Sequence, residues 1–177
     1  MLELRINGYG GEGSVTLAHL LAEAALENGE KGQALPFFGV ERRGAAVRAS
    51  VCISPDAIYA YSRSEEPDYV VVMNEKLVQP ALAEGIKAGG TFVINAPHAV
   101  RLEGYCTWHV DADAIAVATG LVSASGPFIN VPLFGALCKV LGLSEAVMEK
   151  TMMKKWPNGE HNLQAARAAY ASVQKDN

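Results

Sequence analysis

The stretch INGYGGEGSVTLAHLLAEAAL, from Ile6 to Leu26, constrains the fold more than any other part of the chain. Leu2-Glu3-Leu4-Arg5-Ile6 alternates apolar and polar residues and runs into glycines, as a strand entering a tight turn does. The glycines are spaced Gly8-x-Gly10-x-x-Gly13. Val15, Leu17, Ala18, Leu20, Leu21, Ala24, Ala25 and Leu26 then repeat at helical spacing, and Asn28-Gly29 closes the run with a pair suited to a left-handed cap. A strand, a glycine loop and a helix in that order have a physical logic. Gly8 lets the chain turn, Gly10 lets backbone approach a ligand, and Gly13 lets the helix pack close to the sheet. The unpaired N–H groups of the helix start favour an anion, and Ser14 or Thr16 adds a hydroxyl. Dinucleotide binding has one more requirement, an acid about 20 residues on at the end of the second strand. That strand ends in Leu35-Pro36-Phe37-Phe38, Glu30 lies before it, and Glu12 puts a negative charge inside the loop. A phosphate-bearing or other polar ligand, a structural turn and a nicotinamide site remain open, the last lacking its acid.

Downstream the same alternation of elements continues. Gln33–Phe38 reads as a second strand, and Ala45–Ile53 as a third, with Val47, Ala49, Val51 and Ile53 on one face and a possible antiparallel direction. Ile58-Tyr59-Ala60-Tyr61 reads as a short continuation. The unbroken apolar runs YVVVM at Tyr69 and TFVIN at Thr91 mark strands covered on both faces. Tyr105–Val110 is a further strand. Helices are expected around Leu77–Ile86, Asp111–Gly120, Val131–Leu141, after Ser144, and over Glu160–Val173, with a polar loop at Ser123–Gly126 and a frayed tail after Val173. The expected architecture is α/β: a Rossmann-like, doubly wound, mostly parallel sheet with helices on both faces, in a single domain spanning residues 1–177.

Composition narrows the function classes. Of 177 residues, 50% are hydrophobic and only 19% charged, against about 25% charged in ordinary domains. Either a well-filled core or surface hidden against other subunits accounts for this. A net charge of −4 speaks against a nucleic-acid partner, which needs a basic face. No apolar run approaches the roughly 18 residues of a membrane span, and Met1-Leu2-Glu3-Leu4-Arg5 reads straight into a strand. No membrane partner and a cytoplasmic location are therefore expected. Cys52, Cys106 and Cys138 lie far apart and in apolar stretches, and His19, His98, His109 and His161 show no ligand spacing. These residues read as buried thiols and structural or surface histidines, with no metal site and no iron–sulfur cluster on this chain.

The second unusual segment is FFGVERRGAAVRASV. Glu41-Arg42-Arg43 stands between Gly39 and Gly44, at the carboxyl end of a buried strand. In a doubly wound sheet that edge is where ligands bind. A solvated charged turn is the plain reading. The alternative is that Arg42 and Arg43 clamp a carboxylate or phosphate, or pair across a subunit interface, with Glu41 holding one of them.

With both loops in view, the chain resembles the gamma subunit (gamma domain) of the 2-oxoacid:ferredoxin oxidoreductases, the pyruvate and 2-oxoglutarate synthases. Gly8-Tyr9-Gly10-Gly11-Glu12-Gly13 is similar to that family's G-x-G-G-Q-G loop. Phe38-Gly39-Val40-Glu41-Arg42-Arg43-Gly44-Ala45-Ala46-Val47-Arg48-Ala49-Ser50-Val51 resembles its S-Y-G-x-E-x-R-G-G-x-x-x-x-x-V-like segment. PDYVVVMN at Pro67–Asn74, NVPLFGALCKVLGL from Asn130 and WPNGEHNLQAARAAY from Trp156 match later landmarks in order. Glu12 replaces the usual Gln, Phe37-Phe38 replaces Ser-Tyr, and Ala45 replaces a second glycine.

The resemblance implies a subunit of an enzyme that oxidatively decarboxylates a 2-oxoacid to its acyl-coenzyme A. Partner alpha and beta subunits would hold thiamine diphosphate with magnesium. Iron–sulfur clusters and a ferredoxin-like delta subunit would pass electrons to ferredoxin or a similar acceptor. The gamma chain would carry no redox centre, no catalytic residue and no cofactor of its own, and would help assembly and the coenzyme A path. The residues assigned to that path are Gly8, Gly10, Gly11, Gly13, Ser14, Arg42, Arg43, Asn74 and Asn130. Two rivals remain, a stand-alone NAD-type oxidoreductase and a non-catalytic interaction subunit.

Overall fold

The computed structural model describes residues 1–37, 45–58 and 65–176. A central sheet carries β1 (Leu2–Tyr9), β2 (Lys31–Phe37), β3 (Ala46–Ser54), β4 (Tyr69–Val72), β5 (Thr91–Asn95), β6 (Cys106–Val110) and, at its far edge, β9 (Gln174–Lys175). Their order across the sheet is β2-β3-β1-β4-β5-β6-β9. The run β1-β4-β5-β6 is parallel, as expected of a doubly wound sheet. β3 is antiparallel to both β1 and β2, which makes the sheet mixed. The expected continuation of the third strand at Tyr59–Tyr61 lies outside the described residues, as does Phe38 at the end of the second.

Helices cover the two faces unequally. α1 (Ser14–Glu27), α3 (Ala112–Ala118), α4 (Asn130–Val140), α5 (Glu145–Lys155) and α6 (Glu160–Ser172) lie on one side. There Leu4, Ile6, Ala49, Val51, Val71 and Val93 meet Leu17, Leu21, Leu133, Phe134 and Leu137 in the larger core. α4 is buried from Asn130 to Cys138 because it sits between α1, α6 and the sheet. That explains its almost continuous apolar sequence. The opposite side carries a 3-10 turn (Glu75–Leu77) and α2 (Val78–Ala83). Leu77, Val78 and Ala81 pack there on Val70, Val72, Phe92 and Ile94. Residues on both faces of β4 and β5 are thus buried, the physical reason for their unbroken apolar runs.

A charged cluster ties α2 to the sheet. Arg5 is buried on β1, and its Nη2 donates to the Ala81 carbonyl at 2.7 Å. Its Nε lies 3.3 Å from Glu84 Oε2, which also accepts the Asn7 amide at 3.1 Å. Arg48 of β3 reaches the other Glu84 oxygen at 2.5 Å. A buried cation needs such partners to offset its desolvation.

The tail departs from the frayed expectation. β9 pairs with β6, His109 opposite Gln174. The Asp176 N–H donates to Thr107, while its carboxylate accepts the Val100 N–H at 3.1 Å and lies 2.5 Å from His109 Nδ1. A two-residue strand has no periodicity to read, and these tertiary partners are what hold it. No helix among the described residues is long and apolar enough to cross a membrane.

Candidate functional site

The carboxyl edge of the parallel strands is where the glycine loop, the starts of α1, α3 and α4, and a small hairpin converge. Gly8 lies within β1, opposite Val47, rather than in the turn. A β-carbon there would stand 2.9 Å from Met73 Sδ and 3.1 Å from Glu12 Oε2. Close approach, not turning, excludes a side chain at Gly8. The turn itself follows, closed by the Glu12 N–H donating to the Tyr9 carbonyl at 3.1 Å. Gly10 N–H donates to Ala45 at 2.9 Å, which fastens the loop to the residue that follows segment 38–44.

Gly13 is the N-cap of α1, with φ 86° in the left-handed region. It is also the point where α1 meets α4: a β-carbon on Gly13 would stand 2.8 Å from Asn130 Cγ. Ser14, first residue of α1, is buried. No side chain caps this helix start, and its first turn holds no acid.

Glu12 folds inward. Its Oε2 accepts the Tyr9 N–H at 2.6 Å, and its Oε1 accepts the Asn74 amide at 3.4 Å. Asn74 Oδ1 in turn caps the 3-10 turn by accepting the Lys76 N–H at 3.2 Å. The structure therefore brings Gly8, Gly10, Gly11, Gly13, Ser14, Asn74 and Asn130 to one edge. Arg42 and Arg43 lie outside the described residues.

Beside the loop is a cleft of about 250 Å³. Tyr9 to Glu12 form one wall. Asp113 of α3 and the hairpin of β7 (Val122–Ser123) and β8 (Gly126–Pro127) form the other, with Phe128 and Ile129 beyond it. Asn95 at the end of β5 sets this wall. Its amide donates to the Met73 carbonyl at 3.0 Å and to Asp113 Oδ2 at 2.8 Å, and its Oδ1 accepts the Ala112 N–H at 2.9 Å. Ser123 and Ser125 hydroxyls lie 2.9 Å apart across the hairpin. Asp113, Ser123, Ser125 and the half-exposed Phe128 line this candidate site, and the sequence did not single them out. The polar loop at Ser123–Gly126 was visible, but its place beside the glycines was not.

Among the described residues, no group of three His, Cys, Asp or Glu is placed to hold a metal ion. Cys52 (β3), Cys106 (β6) and Cys138 (α4) sit on three separate elements. Burial pushes the Cys138 thiol well up and also raises the Cys52 thiol, so neither is activated as a nucleophile. Cys106 is half-buried rather than buried as expected.

Comparison with known proteins places the sequence and the fold in one family. The model of the pyruvate ferredoxin/flavodoxin oxidoreductase family matches residues 3–172. The chain is 38% identical to the pyruvate synthase subunit PorC of Methanothermobacter thermautotrophicus, over 99% of this chain and 97% of that protein. It is 37% identical to the pyruvate/ketoisovalerate oxidoreductases common subunit gamma of Pyrococcus abyssi, over 98% of each. The crystal structure of pyruvate oxidoreductase subunit PORC from Thermotoga maritima superposes with a TM-score of 0.83 at 31% identity, over 99% of this chain and 98% of that one.

Proposed function

This chain belongs to the pyruvate ferredoxin/flavodoxin oxidoreductase family, and from that premise we propose that it serves as the gamma subunit of a thiamine-dependent 2-oxoacid:acceptor oxidoreductase. The reaction joins a 2-oxoacid and coenzyme A. The acid loses its carboxylate as carbon dioxide, the acyl group forms a thioester with the coenzyme A sulfur, and two electrons and a proton leave. The electrons pass to ferredoxin or a similar acceptor. Thiamine diphosphate with magnesium supplies the acyl carbanion chemistry and iron–sulfur clusters conduct the electrons. Both belong to alpha, beta and ferredoxin-like delta partners in the cytoplasm. The separated cysteines of this chain do not fit a cluster.

The observation that carries this reading is the gathering of the glycine loop with Asn74, Asn130 and Ala45 at one edge of the sheet. Gly10 and Gly11 line one wall of the coenzyme A path, and Gly8, Gly13, Ser14, Asn74 and Asn130 support that wall from behind. Arg42 and Arg43 anchor its phosphates, which suits the bidentate geometry of guanidinium. The wall positions coenzyme A and the chain helps assembly; neither task needs a catalytic side chain here.

Purification of the tagged full chain from its own cells tests this. The expected result is co-elution with a thiamine-binding subunit and a ferredoxin-like subunit, and acceptor reduction that needs both 2-oxoacid and coenzyme A. Elution alone, with saturable NADH binding by fluorescence, contradicts it and restores the stand-alone oxidoreductase.

A further inference from the structure

We propose that Glu12 is a specificity-determining residue. Its carboxylate is a built-in anion that keeps phosphate out of the inner glycine loop and reserves the cleft for hydroxyl and amide N–H groups of the ligand. The inference rests on the reading of this edge as the coenzyme A wall, and it sets the orientation of the molecule there. The uncharged, donor-rich arm lies in the cleft, and the phosphates lie outside it.

The inner loop is already filled. Glu12 Oε2 takes the Tyr9 N–H at 2.6 Å and Oε1 takes the Asn74 amide at 3.4 Å. Gly8 leaves room for this, since a β-carbon there would stand 3.1 Å from Oε2. The network here favours a carboxylate over a carboxamide. Two donors converge on Glu12, and Asn74 cannot turn its oxygen inward because Oδ1 is held by the Lys76 N–H at 3.2 Å. A carboxylate accepts at both oxygens, whereas a glutamine would set its own NH₂ against the Asn74 amide. Glu12 stands immediately before the N-cap of α1, whose first turn has neither a side-chain cap nor an acid.

The opposite wall points the same way. Asp113 is oriented by Asn95 at 2.8 Å, and the Ser123 and Ser125 hydroxyls stand beside it. Among the described residues lining the cleft, none is cationic. The two carboxylates of these walls repel phosphate and accept hydrogen bonds from hydroxyl and amide groups.

Titration calorimetry of the full chain at low salt, with inorganic pyrophosphate and with pantetheine as separate probes, tests this. The wild type is expected to favour pantetheine. Glu12→Gln is expected to bind pyrophosphate at least about tenfold tighter, equivalent to about 1.4 kcal/mol, and pantetheine more weakly. Glu12→Ala serves as the second variant and shifts the ratio in the same direction. Melting curves identify any variant that has not folded, and the pyrophosphate gain shrinks as salt rises. A pyrophosphate-to-pantetheine ratio unchanged within about twofold in both folded variants, or no pantetheine binding by the wild type, overturns the proposal. Failure of coenzyme A to support turnover in the assembled complex, with the probe ratio shifting as expected, refutes the coenzyme A assignment and leaves the role of Glu12 standing.

Discussion

Asn130 Cγ lies 2.8 Å from where a β-carbon on Gly13 would stand. This contact fixes the start of α4 against the start of α1, and so sets the edge on which the site is built. Gly13→Ala meets two penalties, the left-handed φ of 86° and the overlap with Asn130. Together they are expected to cost about 2–3 kcal/mol of stability. Asn130→Ala in the same chain removes the two closest contacts, leaves the residue-130 β-carbon 3.1 Å away and leaves the φ strain, so it recovers only part. A double-mutant cycle by urea denaturation checks this. Additive losses would place the two residues out of contact.

The packing of α4 on α6 gives a second prediction. A β-carbon on Gly135 would stand 2.0 Å from the Ala166 carbonyl oxygen. That neighbour is backbone and cannot swing away. Gly135→Ala is expected to lose about 3 kcal/mol through overpacking. Gly11→Ala, with φ 99° and open space around the added methyl, is expected to lose about 1 kcal/mol. Melting temperatures of the two variants, in that order, are the measurement.

Acid sensitivity follows from Asp68. Burial alone would raise its carboxyl. The Lys87 ammonium at 2.7 Å and the Glu3 N–H at 2.8 Å outweigh that and hold it below the usual range. A depressed folded value means stability that is fully present above the unfolded pKa of about 3.9 and lost as pH falls through the folded value. Asp68→Asn is expected to melt lower than the wild type at pH 7, with the gap closing steadily below about pH 4. A gap that stays constant down to pH 2.5 would contradict it.

The C-terminal anchor gives a fourth. Asp176→Ala leaves the Val100 N–H and His109 Nδ1 without their carboxylate, a loss of about 1–3 kcal/mol for buried polar groups. Hydrogen exchange at Val100 and at Gln174–Asp176 is expected to quicken, with exchange in β4 and β5 little changed. Unaltered exchange at Val100 would show that the tail is held elsewhere.

Much of this was written locally in the sequence. The strand, glycine loop and helix over residues 2–27 follow from period-2 and period-3.6 patterns around glycines. So do the buried runs at Tyr69 and Thr91 and the alternation of the third strand. Other features depend on partners far away in sequence. Asp113 reads as an ordinary acid in a first helical turn until Asn95 turns it toward the loop. β7 and β8, two residues each, and β9 carry no periodicity. Gly8 reads as a turn residue because sequence cannot show Met73 pressing on it. The charge of Glu12 was visible as an obstacle to pyrophosphate, but its inward fold onto Tyr9 and Asn74 was not.

The most direct test of the central claim is the Michaelis constant for coenzyme A in the assembled complex carrying Arg42→Ala or Arg43→Ala. Loss of a charge-assisted contact to phosphate is worth about 1.5–3 kcal/mol, or roughly 10- to 150-fold. The account predicts a rise of that size for coenzyme A, with the constant for the 2-oxoacid unchanged. An unaltered coenzyme A constant for both variants, in a complex that still assembles, would contradict it.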